Sequence, residues 1–409
     1  MPFFCHYCGK DKPDDKRTKE HVIPKALGGN VEPGNPFLLD VCAQCNSACG
    51  RYVDGPFIRS WFTQMERFGN ARRYIDLDRD PCIPLLYVGE SQEIKWEDTV
   101  CDYWQGPAGD HVLHFHMRYQ DSIVRPDVGP PIGVKPKDID PGFILIFLCA
   151  THPKWARCVI RSVTEQIDDA VIYVVNGGPR PDGPRFGEIP NTLKPLIEQV
   201  FKLLLSRKPL TVDVAFRPDS GDRFLAKLAL GFGSLLLDDS FRTSADAMKL
   251  RNFVWAKTAK EREPIGLNGT TFFENSMQPR PGPGMSDLLG WQPGHVVLLQ
   301  AYGQEALGLS VIFYGTQNAT VMVTTNHAHW RGRLVGTDTV QSSLFLIAPG
   351  FRTFVGPVPL SKYVAARGEL PKGNILPVVG PFLKAVEDHA PPPPFEAPEE
   401  ERAHQKVLQ

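Results

Sequence analysis

Hydrophobic residues recur at helical spacing in four separate stretches of the chain. An apolar side chain at every third or fourth position predicts an amphipathic helix. The predicted helices are 47–73, 193–206, 222–237 and 244–257. The last of them starts at Ser244, which suits an N-cap position because a serine oxygen accepts hydrogen bonds from the amides of a first helical turn.

Shorter apolar runs, separated by glycine, proline or asparagine, indicate β-strands. The clearest of these runs are 112–117, 170–175, 296–302, 309–314 and 320–324. Only short turns divide the last three, so we expect them to form antiparallel strands. The chain therefore has an α+β pattern, with segregated helical and strand-rich parts and an antiparallel sheet near the C-terminus.

The pattern divides the chain into four predicted parts. Residues 1–75 form a compact N-terminal module, and residues 76–260 form a mixed region with the last three helices. Residues 261–388 form a β-rich C-terminal region. Residues 389–409 contain Pro391 to Pro394 and a run of glutamates, a composition that predicts a disordered tail.

Composition narrows the range of functions. The 409 residues carry a formal net charge of −1, so the whole chain has no positive field for nucleic acid, and any such contact must use a local patch. No apolar run approaches the roughly 20 residues that span a membrane. The first cysteine pair follows directly after residue 4, which predicts no signal peptide. With an odd count of 9 cysteines, we expect a reducing, cytoplasmic location.

Two Cys-x-x-Cys pairs lie within the first 45 residues, Cys5 with Cys8 and Cys42 with Cys45. Four thiolates suit one tetrahedral Zn²⁺ ion, and a closed shell of four protein ligands makes that zinc structural. Cys49 competes for the last position, but Cys45 keeps the spacing of the motif. Cysteine pairs alone also fit a zinc ribbon that only binds other molecules.

The residues between these pairs add a second motif. Glu20-His21-Val22-Ile23-Pro24 and Gly28-Gly29 precede the second pair, and Asn46 follows Cys45 directly. In this order, the segment resembles the HNH endonuclease family, in particular its subgroup with a four-cysteine zinc site. The resemblance implies a ββα-metal fold, in which two strands carry an acidic residue and a histidine and a helix supplies the last ligand.

The resemblance also implies roles for individual residues. His21 is the expected general base, because a neutral imidazole is available near pH 7. Glu20 and Asn46 are expected to hold a catalytic Mg²⁺ or Mn²⁺ ion, to which the carboxylate gives a hard oxygen ligand. Asn35 is the candidate for the middle residue of the motif, which orients the loop of the general base, and Asn30 is its competitor. On an extended strand, Glu20 and His21 would point in opposite directions.

Several charged residues nearby are open to more than one interpretation. Asp54 suits a carboxylate on a helix surface, a salt bridge or support of the site. Lys25, Arg51 and Arg59 suit phosphate contacts, although most surface cations are only solvated.

By resemblance, the expected substrate is DNA, most simply double-stranded, and the activity is phosphodiester hydrolysis. The long C-terminal region suggests a regulatory ligand or protein partner, which would fit a restrained nuclease in bacterial antiviral defence. The alternatives are a non-catalytic zinc module that binds nucleic acid or protein, and a nuclease that acts on RNA.

Two further histidine pairs, His114 with His116 and His327 with His329, have the spacing of two imidazoles on one face of a strand. We expect neither to bind metal, because no nearby carboxylate or cysteine cluster accompanies either pair.

Overall fold

The structure, a computed structural model, describes most of the chain in separate ranges. These ranges are 2–31, 34–58, 60–74, 85–106, 109–117, 142–149, 153–167, 170–176, 183–206, 208–213, 220–256, 259–263, 265, 289–291, 294–315, 317–337, 340–349 and 352–367. The predicted tail at 389–409 lies outside them. In the helices that these ranges contain, none is both long and apolar enough to span a bilayer.

The chain forms two compact units, and the first is discontinuous in sequence. It combines residues 1–66 with residues 216–387, whereas the second combines residues 67–215 with residues 388–409. The N-terminal module therefore shares one unit with segments more than 150 residues downstream.

The first unit begins with two antiparallel hairpins. In the first, β1 (Phe3–Cys5) pairs with β2 (Lys10–Lys12). In the second, β3 (Arg17–His21) pairs with β4 (Leu38–Cys42), with Arg17 opposite Cys42 and His21 opposite Leu38.

Helices follow the second hairpin directly. Helix α1 (Ala43–Cys49) continues through a π-helical turn at Gly50–Asp54 into α2 (Gly55–Ile58). Helix α3 (Trp61–Tyr74) begins in the first unit and ends in the second. The hairpin β3–β4 and helix α1 together give the strand–strand–helix order of a ββα unit.

The rest of the first unit consists of an antiparallel sheet and three helices that pack against it. Its strands are β11 (His295–Tyr302), β12 (Ala306–Phe313), β13 (Gln317–Thr324), β14 (Gly336–Thr337), β15 (Val340–Ala348) and β16 (Thr353–Val358). Every pairing is antiparallel, in the order β13-β12-β11-β15-β14, with β16 also on β15. The helices in this part are α6 (Ser220–Leu236), α7 (Ala245–Trp255) and α8 (Leu360–Arg367).

One continuous core joins the N-terminal module to this sheet through α6. Phe57 of α2 stacks on Phe224 of α6, with ring centroids 4.1 Å apart. Phe37, just before β4, lies edge-on to Phe232 of α6 and to Phe345 of β15. Each aromatic pair of this kind contributes about 0.5–1.5 kcal/mol beyond its burial. The module is thus packed into a larger core, and α6 is the element between its hairpin and the sheet.

The second unit is built on a mixed sheet. The strands are β5 (Leu86–Ser91), β6 (Thr99–Gln105), β7 (His111–Met117), β8 (Phe143–Phe147), β9 (Val171–Val174) and β10 (Val212–Asp213). They lie in the order β10-β5-β6-β7-β8-β9. All pairs are antiparallel except β8 with β9, which are parallel and are connected through helix α4 (Pro153–Gln166). A parallel pair requires such a crossover.

Among the described residues, helices pack on both faces of this sheet. Val112, Ile144 and Ile146 pack with α4, whereas Leu113 and Phe147 pack with α5 (Lys194–Leu205) on the other face. Consecutive strand residues point to opposite faces, so a sheet buried on both sides has nearly continuous apolar strands. The continuous apolar sequence of β8, from Phe143 to Phe147, is explained by this burial on both sides.

The predicted α+β class, with antiparallel sheets and an N-terminal four-cysteine cluster, is confirmed. Ser244 is also the N-cap of α7, where its hydroxyl oxygen accepts a hydrogen bond of 3.1 Å from the amide of Ala247.

Candidate functional site

The four cysteines of the two pairs meet at one point, which we call the thiol cluster (Cys5, Cys8, Cys42 and Cys45). Cys5 ends β1, Cys8 lies in the turn that follows, Cys42 ends β4, and Cys45 lies in the first turn of α1. All four sulfur atoms lie within 4.8 Å of one another. Around a zinc ion with Zn–S bonds of about 2.3 Å, tetrahedral sulfurs would be about 3.8 Å apart. The cluster could therefore hold one zinc ion.

Hydrogen bonds within the cluster favour a thiolate at Cys5. The Cys45 thiol donates to Cys5, which lowers the pKa of Cys5 to about 4 and raises that of Cys45. The backbone amide of Cys42 also donates to the Cys5 sulfur, at 3.2 Å. Because thiolate is the metal-binding form of cysteine, these donors suit a metal ligand.

Two side chains of helix α7 donate hydrogen bonds to the turn that contains the first cysteine pair. Arg251 Nε donates to the carbonyl oxygen of His6 at 2.9 Å, and the indole nitrogen of Trp255 donates to that of Tyr7 at 2.8 Å. These two carbonyls belong to the residues between Cys5 and Cys8. A helix more than 240 residues downstream thus fixes the turn that carries two of the thiols.

The two residues at the end of β3 face opposite directions. Glu20 is buried, with 7% of its surface exposed, whereas His21 is half-buried. The strand alternates in this way because successive side chains leave opposite faces of the pleated backbone. Glu20 therefore points inwards, and His21 points away from it.

Glu20 forms an ion pair with a buried lysine from the second segment of the unit. Lys227, on α6, is fully buried, and its Nζ lies 2.8 Å from Glu20 Oε1 and 3.0 Å from Asp54 Oδ2. The same nitrogen donates to the carbonyl oxygens of His21 at 3.1 Å and Val22 at 3.2 Å. We call Lys227, Glu20 and Asp54 the lysine cluster.

The charges of the lysine cluster depend on one another. Burial alone would lower the pKa of Lys227, but the carboxylates of Asp54 and Glu20 raise it above its usual value. Burial raises the pKa of Asp54 to about 6, against the opposing effect of Lys227. Lys227 therefore stays protonated and supplies the positive charge beside the two buried carboxyl groups.

Asn46 lies on α1 and faces the same strand. Its side-chain nitrogen donates to Thr18 Oγ1 at 3.1 Å and to the Lys19 carbonyl at 3.3 Å. Thr18 and Glu20 are two positions apart on β3 and so share one face. Asn46 and Glu20 thus both lie between the strand and the helices that cover it.

Asn35 holds the loop that follows His21. Its side-chain nitrogen donates to the Gly29 carbonyl, and its oxygen accepts a bond of 2.9 Å from the amide of Phe37. The Phe37 carbonyl in turn accepts from the amide of Val22 at 2.9 Å. Asn35 therefore connects the glycine pair to the residue directly after His21.

The backbone conformation of this loop requires glycine at both Gly28 and Gly29. Gly28 has a φ of +84°, a left-handed conformation that side chains other than glycine rarely adopt. A Cβ atom at Gly29 would collide with the carbonyl oxygen of Ile23. The tight return of the loop onto the end of β3 thus depends on both glycines.

His21 has the electrostatics of a base. Partial burial lowers its pKa below 6.5, and the positive charge of Lys25 lowers it further. Lys25 is exposed, four residues after His21. The imidazole is therefore neutral near pH 7 and can accept a proton.

The family model for HNH endonucleases matches residues 5–62, a range that contains both the thiol cluster and the Glu20–His21 strand. Residues 5–62 match the HNH endonuclease family, and we call them the HNH module. This match covers the N-terminal module and not the two large sheets. No curated protein and no solved structure matches the chain. The family implies nuclease chemistry with a divalent metal ion, on a nucleic-acid substrate.

Within the HNH module, the structure brings the sequence-predicted residues together around one hairpin. Glu20 and His21 lie on β3, Asn46 on α1 and Asn35 in the loop between the strands. Asp54, for which a salt bridge was one interpretation, does form an ion pair with Lys227. Sequence reasoning missed Lys227, although a lysine inside the apolar run Phe224 to Leu230 was a usable signal.

The cations of the HNH module differ in their partners. Lys19 and Arg17 pair with Asp40, at 2.7 Å and 3.4 Å. Lys25 and Arg51 are exposed. The side chain of Arg59, the third predicted phosphate contact, lies outside the described residues.

The two other histidine pairs have different outcomes. His327 and His329 lie in a 3-10 turn, where His329 Nδ1 is hydrogen-bonded to Thr324 Oγ1 at 2.8 Å. For His114 and His116, the expectation that no carboxylate lies nearby is wrong. Strand β6 places Asp102 beside them, and the ligand atoms of the three residues lie within 4.8 Å of one another.

Proposed function

We propose that this protein is a metal-dependent endonuclease that hydrolyses phosphodiester bonds of DNA, with His21 as the general base. The observation that carries the proposal is the position of His21 within an HNH module. It follows Glu20 on a strand whose ends are fixed by the thiol cluster and by the Asn35 loop.

The thiol cluster would hold a structural zinc ion. Its four sulfurs converge from two strand ends, a turn and a helix, and a module of this size buries little core of its own. Four protein ligands leave no position for a substrate, so the zinc would stabilise the fold and take no part in cleavage.

The general-base role of His21 rests on protonation and access. Its pKa lies below 6.5, so the imidazole is neutral at physiological pH, and its half-buried side chain can be reached by water. His21 would remove a proton from the attacking water, a contribution of about 10²–10⁴ in rate. Lys25 is close enough to influence this pKa and would also attract a phosphate.

Glu20 and Asn46 would hold the catalytic Mg²⁺ or Mn²⁺ ion. Both are oxygen donors, and Mg²⁺ commonly takes only one or two protein ligands and keeps several waters. The donor set fits such an ion, although Glu20 Oε1 is already engaged by Lys227. When bound, the ion would stabilise the charge on the scissile phosphate and on the leaving oxygen.

Lys227 would act as a positioning residue. It binds the carboxylate of Glu20 and the carbonyls of His21 and Val22, so it fixes both the side chain and the backbone of the reactive strand. Effective general-base catalysis depends on such positioning.

The decisive experiment compares the wild type with His21→Ala, using supercoiled plasmid with Mg²⁺ or Mn²⁺. We expect both proteins to retain the same zinc content and melting temperature, and only the wild type to cleave. The matched control is His6→Ala, which removes a histidine of the same module that lies between the cysteines. Equal cleavage by His21→Ala would exclude His21 as the base.

The same assay, with single-stranded RNA as a second substrate, separates the alternatives. Cleavage of single-stranded RNA in preference to plasmid would favour the RNA nuclease. Tight binding of either nucleic acid without cleavage under any metal condition would favour a non-catalytic zinc module. Regulation by a ligand or partner and a role in bacterial antiviral defence stay predictions.

A further inference from the structure

A second cluster of metal-ligand side chains lies in the sheet of the second unit. Asp102 on β6 stands directly opposite His114 on β7, and His116 is two positions further along β7. Residues two apart on a strand share a face, so all three side chains leave the same side of the sheet. A carboxylate oxygen of Asp102 and a ring nitrogen of each histidine lie within 4.8 Å of one another.

Neighbouring groups fix the orientation of two of these side chains. The Tyr87 hydroxyl donates to Asp102 Oδ1 at 2.9 Å, and Asp102 Oδ2 lies 3.0 Å from His116 Nε2. The other ring nitrogen of His116, Nδ1, lies 3.0 Å from the Met117 carbonyl oxygen. A carbonyl oxygen can only accept, so Nδ1 carries a proton and Nε2 is the atom turned towards Asp102.

This arrangement has the features of a supported metal site. Histidines that bind metals usually donate their second ring N–H to a carbonyl or carboxylate, and ligating carboxylates are themselves hydrogen-bonded. His116 and Asp102 have these partners in Met117 and Tyr87. Both ligands are also buried, each with 5% of its surface exposed, which restricts competition from water.

We propose that Asp102, His114 and His116 bind a divalent transition metal ion, with Zn²⁺ as the probe of choice. Two imidazole nitrogens and one carboxylate oxygen suit zinc and its first-row neighbours better than Mg²⁺ or Ca²⁺. Three protein ligands leave at least one coordination position for water or for a donor atom of another molecule. The site is therefore suited to ligand binding, unlike the closed thiol cluster.

A buried ion pair between His116 and Asp102 is the alternative. Such a pair would need a proton on His116 Nε2, and it would not involve His114. The His114 ring, however, lies 4.6 Å from that of His116 between centroids, and one of its nitrogens belongs to the same group of ligand atoms. The metal site is therefore tested most directly at His114, which is only half-buried and whose removal need not disturb the fold.

The experiment measures zinc in the purified full-length protein after equilibrium dialysis at micromolar free zinc. We expect about two zinc ions per chain in the wild type and about one in His114→Ala. The matched control is His111→Ala, on the same strand, whose imidazole is hydrogen-bonded to Tyr103 at 2.7 Å and is not part of the group. It should keep both ions.

Cobalt(II) distinguishes the two sites by their spectra. The thiol cluster would give a strong sulfur-to-cobalt charge-transfer band, whereas the proposed site would give only weak d–d bands. Loss of the second set of bands in His114→Ala, with the charge-transfer band unchanged, would support the proposal. Equal zinc content in the wild type and His114→Ala would overturn it, and the outcome does not depend on nuclease activity.

Discussion

Two polar clusters stabilise the β3–β4 hairpin, and they differ in where their members come from. The thiol cluster uses four residues within the first 45, and the lysine cluster combines Glu20 and Asp54 with Lys227. The thiol cluster fixes the hairpin at the start of β3 and the end of β4, where Arg17 and Cys42 are opposite. The lysine cluster contacts its other end, at Glu20 and His21. A module that is continuous in sequence thus depends on a side chain from the distant part of its unit.

The thiol cluster should have the larger effect on folding. Structural zinc sites contribute about 10–16 kcal/mol of apparent binding free energy in small modules. We expect Cys42→Ser to lose the zinc of this cluster and to unfold the N-terminal module, which circular dichroism and zinc analysis would detect.

Cys49→Ser is the matched control for that variant. Cys49 is buried nearby but is outside the four-thiol group, so this variant should keep the zinc. Zinc loss in Cys49→Ser and not in Cys45→Ser would reverse the assignment of the fourth ligand.

Disrupting the lysine cluster should cause the second-largest loss of stability. Lys227→Met leaves two carboxyl groups buried without their cation, a change that typically costs about 3–5 kcal/mol. Chemical denaturation would measure it. Lys249→Met on α7 is the control, because Lys249 is partly exposed and lies 3.9 Å from Glu263. An exposed pair contributes at most about 1 kcal/mol, so equal losses in both variants would remove the special role of Lys227.

The pH dependence of cleavage tests the role of Lys227 in a second way. Burial and Lys25 place the pKa of His21 below 6.5, so cleavage should rise with pH through a value below 6.5 and stay constant through neutrality. Lys227 also lowers this pKa. Lys227→Met should therefore move the rising limb to higher pH, which a purely structural role would not do. An unchanged limb would contradict the positioning role.

Among the predicted substitutions, we expect that of Asn35 to have the smallest effect. Asn35→Ala removes two hydrogen bonds from the loop, each of which contributes about 0.5–1.5 kcal/mol. We expect cleavage to fall by about tenfold with an unchanged pH profile. Asn30→Ala, the competing assignment, should have a weaker effect, and a larger loss there would exchange the two roles.

The sequence allowed prediction of features that depend on local spacing. The two cysteine pairs, the Glu20–His21 dipeptide and the cap at Ser244 each need only a few neighbouring residues. Lys227 and Asp102 could not be assigned in this way, because their partners are set by the packing of α6 and by the register of β6 on β7. Their one local signal is a charged residue inside an apolar run. Such a signal indicates a buried partner without identifying it.

The position of Lys227 in the chain also affects the order of events during synthesis. A ribosome completes residues 5–62 long before it reaches residue 227, on the order of ten seconds or more at usual elongation rates. During that interval Glu20 and Asp54 have no ammonium group to bring them together. A nascent chain would therefore carry a zinc-binding segment whose reactive strand is not yet fixed. On the proposed function, the strand would become competent for cleavage only after residue 227 has been synthesised.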